Sequence, residues 1–154
     1  MDTLAAILHI GTAVFIIGPM AILPMTGLRA LRNGNVDQVR TLAKSITVVS
    51  WLSVLTIVFG FWLMSGAEGK EDKLTFTTPW IMWAIIAWII AFALEIFVVV
   101  PQMTKAADGL AAPAEAPAEG AVEAAPASYG LIAASSGIAA LLLVVAVILM
   151  IWRP

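Results

Sequence analysis

Four stretches of this chain are long, apolar and almost free of charge, and no other feature restricts its fold as strongly. A helix rises 1.5 Å per residue, so about 20 mostly apolar residues cross the hydrocarbon core of a bilayer. Leu4 to Leu28 holds no formally charged side chain, and Ser45 to Gly66 lies between Lys44 and Glu68. Pro79 to Val100 carries one acid, Glu95, and Tyr129 to Trp152 ends against Arg153. Each run is long enough to span. The expected fold is therefore all-α: a polytopic membrane protein with four transmembrane helices over about 4–28, 45–66, 79–100 and 129–152, forming a single membrane domain. Composition agrees, since 62% of the residues are hydrophobic and 12% charged, whereas soluble domains run near ~45–50% and ~25%. The first run begins behind Asp2 and exceeds the ~7–15 residues of a signal-peptide core, so it is expected to stay in the mature protein.

Charge and cysteine content exclude several functions. A net charge of -2 with no basic stripe argues against a nucleic-acid partner. The chain has no cysteine, which removes disulfides, thiolate metal sites and cysteine nucleophiles. No Walker loop, GxSxG or HExxH appears, so the sequence predicts neither an enzyme nor a metal or cofactor site.

Four spans place both termini on one side. Arg29, Arg32, Arg40 and Lys44 in the first loop and Lys105 in the third oppose Lys70 and Lys73 in the second loop and Arg153 at the C-terminus. This excess predicts loops one and three inside and both termini outside. The basic loop would also meet anionic lipid. Trp62, Trp80, Trp83 and Trp152 fall toward the outer end, where aromatic rings anchor at the headgroups.

Asn33-Gly34-Asn35 is a turn signal, and Asp37 to Lys44 reads as an aqueous extension of span two, with the acid early and the cations late. Pro79 suits the first turn of span three, and Pro101 is expected to end that span. The third loop, 102–128, is an Ala/Pro/Glu-rich, low-complexity segment with a near-repeat at 112–119. It lacks the large apolar residues that offset ordering entropy and is expected to be a flexible linker, or a docking arm that orders on a partner.

Few residues can carry chemistry. Glu95 is the only acid deep in a span, and an intramembrane acid is a functional hypothesis by default. Its expected role is a buried pair with Arg29, Arg32 or Arg40, or a hydrogen bond to a neighbouring subunit. A proton relay would lack ionisable partners, because spans two and four have none. His9, the single histidine, is expected to pack and hydrogen-bond a neighbouring helix. Haem or copper ligation with Met20, Met25 or another Met is the alternative, and contact with a partner or a quinone headgroup a third. Pro19 and Pro24 predict a bend in span one. Ala133, Ser136, Gly137 and Ala140 form a small-residue face on span four that permits close helix approach.

The segment Leu8-His9-Ile10-Gly11-Thr12-Ala13-Val14-Phe15-Ile16-Ile17-Gly18, followed by Arg29, Arg32 and a second span, resembles a family of small bacterial integral membrane proteins with four helices and a histidine early in helix one. The layout is also similar to a small accessory subunit of the actinobacterial supercomplex that joins cytochrome bcc to cytochrome c oxidase. That resemblance implies a subunit without its own redox centre, seated against the large cofactor-bearing subunits. The expectation is a non-catalytic accessory or assembly subunit of a respiratory membrane complex. The alternatives are a small transporter or channel using Glu95, or a haem or copper carrier using His9.

Overall fold

The computed structural model describes residues 2–65, 75–112 and 121–152. Four helices are long and apolar enough to cross a membrane: α1 (Thr3–Arg32), α2 (Val36–Ser65), α3 (Pro79–Ala111) and α4 (Ala121–Trp152). No strand occurs among the described residues. Lys70 and Lys73 of the second loop, Arg153, and residues 113–120 of the Ala/Pro/Glu-rich segment lie outside them.

The helices overrun the apolar runs because the backbone can stay helical after its side chains turn polar. Helix α2 starts at Val36, and Asp37 to Lys44 forms its polar first turns, as the charge order predicts. The α1–α2 turn is built on Gly34, whose φ of +67° costs least without a Cβ. Leu31 and Ala30 carbonyls accept the Gly34 and Asn35 N–H groups. Asn35 Oδ1 then accepts the Gln38 N–H at 3.1 Å, capping α2.

Pro101 does not end span three. The helix runs on to Ala111, and α4 already begins at Ala121, so less of 102–128 is loop than its composition suggests. The reason is a π-helical turn, Glu95–Val99, in which Val100 N–H reaches back five residues to the Glu95 carbonyl. Proline lacks an N–H and its ring crowds the carbonyl four residues earlier; a widened turn just ahead of it absorbs both effects. Span one repeats the device at the same offset, with π-turn Ala13–Ile17 ahead of Pro19.

Helices α1 and α2 form one antiparallel hairpin and α3 and α4 another. The two meet along the half of the bundle that carries the first loop, here the arginine end, where α2 packs on α3 and α1 on α4. Small residues allow this approach: Ala30, Ala43 and Ala107 are buried beside Val39, Ile46, Val99, Met103 and Ile132. The Met103 methyl occupies the space where a Cβ of Gly27 would stand. Arg40 bonds Asp108 at 2.8 Å, and the Arg32 guanidinium lies 4.7 Å from the Tyr129 ring centre. A second cluster, Ile17, Met20, Ala91, Ala139 and Leu143, fills the middle. Beyond it, toward the termini, the hairpin backbones separate. The small-residue face of α4 is offset from its expected position: Ile132, Ser135, Ser136, Ala139 and Leu143 are the buried positions among its described residues.

Candidate functional site: an intramembrane cavity and the polar line beneath it

The separation of the hairpins leaves a cavity of about 840 Å³ between all four helices. Its walls are aliphatic and aromatic, from Ile10 and Val14 through Phe61, Ile81 and Ile85 to Val147, and no formally charged side chain lines it. The heteroatoms on its walls sit on His9, Thr56, Trp80, Trp88, Met64 and Met150.

His9 is fixed by two neighbours. Its Nδ1 lies 2.8 Å from the backbone carbonyl of Thr56, which can only accept, so Nδ1 carries the proton and Nε2 is left as an acceptor in the neutral ring. The imidazole also lies against Gly60, where a Cβ would stand 3.1 Å from Cε1 and 3.2 Å from Nδ1. Glycine at that position admits the ring. The expected bond from His9 to a neighbouring helix is thus present, and its partner is α2.

The structure does not bring His9 together with Met20 or Met25. Met20 is fully buried in the middle cluster and Met25 is exposed on the outside of α1; eleven residues, about 16 Å of helix, separate Met20 from His9. Met64 and Met150 are the methionines that share its cavity.

Glu95 is fully buried, and neither carboxyl oxygen has a hydrogen-bond partner. The pairing with Arg29, Arg32 or Arg40 expected from the sequence is not formed. Arg40 is engaged with Asp108, Arg32 with Tyr129, and Arg29 is exposed. Those arginines project at the bundle end, while Glu95 faces its axis. Full burial also keeps it from a neighbouring subunit.

Above Glu95 the interior face of α2 carries Ser50, Ser53 and Thr56, all buried and spaced by three residues. Ser53 Oγ donates to the Ser50 carbonyl at 2.6 Å and accepts the Trp88 indole N–H at 3.1 Å. Ser50 Oγ and Thr56 Oγ1, like the Glu95 carboxyl, have no partner. Among the described residues these are all the buried side-chain oxygens and nitrogens left unpaired, the hydroxyls in a line along α2 and Glu95 on the facing α3. Weighing only ionisable groups misses this line. The three-residue spacing of hydroxyls in an otherwise apolar span is the signal that reveals it.

A family model for predicted integral membrane proteins, DUF2269, matches residues 3–154. The chain belongs to this family. The match runs through all four helices and therefore includes His9, the hydroxyl line and Glu95. It establishes an integral membrane protein without assigning an activity. No curated protein and no solved structure matches the chain.

Proposed function

We propose that this DUF2269 member is a non-catalytic membrane subunit that holds a lipophilic molecule inside its four-helix bundle. The cavity carries the reading. At about 840 Å³ it lies within the ~300–1,000 Å³ of small-molecule sites, which are likewise mostly apolar with a few placed polar groups. Away from its His9 and Thr56 end, an apolar space of this size does not hold water well, and within a bilayer the molecules at hand are lipids and lipid-soluble compounds. His9 Nε2 and Thr56 Oγ1 offer hydrogen bonds to a head group such as a hydroxyl, and the aliphatic walls accommodate a tail.

The similarity of the four-span layout to a supercomplex accessory subunit gives this subunit a setting, as a component of a bacterial plasma-membrane respiratory complex with cytochrome bcc and cytochrome c oxidase as partners, and the Lys/Arg balance sets both termini outside. Purification in mild detergent tests both levels. The expected result is copurification of cytochromes, together with an extractable lipophile that stays with the chain after the partners are removed. A chain that purifies alone and yields nothing but annular phospholipid contradicts the proposal. A Soret band intrinsic to the isolated chain would replace the lipophile with haem held by His9, with Met64 or Met150 in reach of the same cavity.

A further inference from the structure

We infer that Glu95 is a proton-binding site within the bundle, connected to the cavity by the hydroxyls of α2. The contacts between α2 and α3 fix their antiparallel register. Trp88 meets Ser53, Trp51 packs edge-on against Phe92 at 5.4 Å, and Arg40 pairs with Asp108. Interpolating between these pairs sets Glu95 within about one residue of the level of Ser50. On the facing helix Ala139 shares the cluster of Ala91, and Ile132 that of Val99, so Ser135 and Ser136, between them, fall near that level. Both already donate within α4, to Leu131 and Ala133 carbonyls, which leaves their oxygens able to accept. Helix α1 contributes Met20 and Pro24 there, with no titratable group. The nearest charged side chains along the packed helices, Arg29, Lys44 and Lys105, are exposed and point away. Glu95 thus lies near the level of Ser50, Ser135 and Ser136, between two apolar clusters, with no hydrogen-bond partner and no counter-charge among the described residues.

From that level one route leads to the cavity. Ser50, Ser53 and Thr56 climb about 4.5 Å per step along α2, and Thr56 lines the cavity beside His9. A hydroxyl donates and accepts at once; those of Ser50 and Thr56 are unpartnered and free to rotate, and the Ser53 O–H must leave the Ser50 carbonyl as a proton passes, so the three with water between them form the path. A proton enters at His9 Nε2 or Thr56, passes inward by exchange of O–H bonds, and is taken up by the Glu95 carboxylate; release runs the same way in reverse. Only O–H and N–H bonds are made or broken, and no oxidant or reductant takes part. A hydroxyl head group bonded to His9 Nε2 and Thr56 Oγ1 can itself pass the proton on, and an empty cavity leaves the two groups to water, so the path stands or falls separately from the lipophile.

The test is infrared spectroscopy on the whole protein in lipid films. A C=O band of a protonated carboxylic acid is expected in the native protein, absent from Glu95→Gln, and downshifting within the mixing time when H2O is replaced by D2O. Glu95→Asp, which moves the band without abolishing it, assigns it should the Gln variant not fold. In Ser50→Ala and Thr56→Val the deuterium shift should slow at least tenfold. Those hydroxyls make no hydrogen bond, so a merely structural role would leave the exchange rate unchanged. A band that survives both Glu95 substitutions unmoved, or equal exchange rates in native protein and hydroxyl variants, overturns the inference.

Discussion

Gly60→Ala probes the cavity through the one histidine of the chain. The added methyl stands 3.1–3.2 Å from the imidazole, inside ordinary van der Waals distance, and the neighbouring α2 backbone cannot yield. The ring must retreat by a few tenths of an ångström, away from the Thr56 carbonyl that its Nδ1–H now reaches at 2.8 Å. Losing that bond costs about 0.5–1.5 kcal/mol, while replacing glycine by alanine within a helix returns up to about 1 kcal/mol. The two nearly cancel, so thermal stability is a poor readout. The tautomer is a direct one. With about 1 kcal/mol removed from one form, the ratio of Nδ1–H to Nε2–H should fall about fivefold. Nitrogen-15 NMR at pH 8.5 on protein labelled at its single histidine reads this ratio. Native protein should show Nδ1–H, and Gly60→Ala a mixture. An unchanged ratio in the variant would refute the placement of His9 against Gly60 and the assignment of Nε2 as the free acceptor.

Gly27→Ala should destabilise by about 0–2 kcal/mol, as its methyl displaces the end of the Met103 side chain while alanine returns up to about 1 kcal/mol within the helix. In a Met103→Ala background the same change should be neutral or stabilising; unfolding in mixed micelles measures the coupling, and additive effects would contradict the contact. Arg40→Ala removes a bond whose partners are 45% and 60% exposed, so it should cost less than about 1 kcal/mol in the same assay. Single cysteines at Asn35 and Gly69 should respectively resist and accept an impermeant thiol reagent in intact cells, as the Lys/Arg balance requires; the opposite labelling reverses the topology.

The number of spans is legible in the sequence because hydrocarbon thickness imposes a length that no local effect overrides. Helix ends are less so. Pro101 reads as a stop because proline breaks the i to i−4 pattern, yet the π-turn at Glu95–Val99 carries the helix past it, and whether a turn widens depends on packing around it. Charge counting likewise pairs Glu95 with arginines about four turns of helix or less from its level. Which face of each helix points inward decides the matter, and α3 is too uniformly apolar for its pattern to reveal that face. His9 was readable as a helix-to-helix hydrogen bonder, but its partner is a backbone carbonyl, which carries no side-chain signature. The cavity arises where two hairpins diverge, a property of tertiary packing that no single span encodes.

Native mass spectrometry of the protein released from mild detergent tests the ligand-holding cavity most directly. The native chain should carry one lipophile that survives delipidation of the outer surface. Ala84→Phe with Ala146→Phe, two cavity-lining positions, places rings in the ligand's space and should abolish that adduct while helix content by circular dichroism is kept. A native chain without a retained adduct, or an adduct equally retained by the folded double variant, would contradict the account.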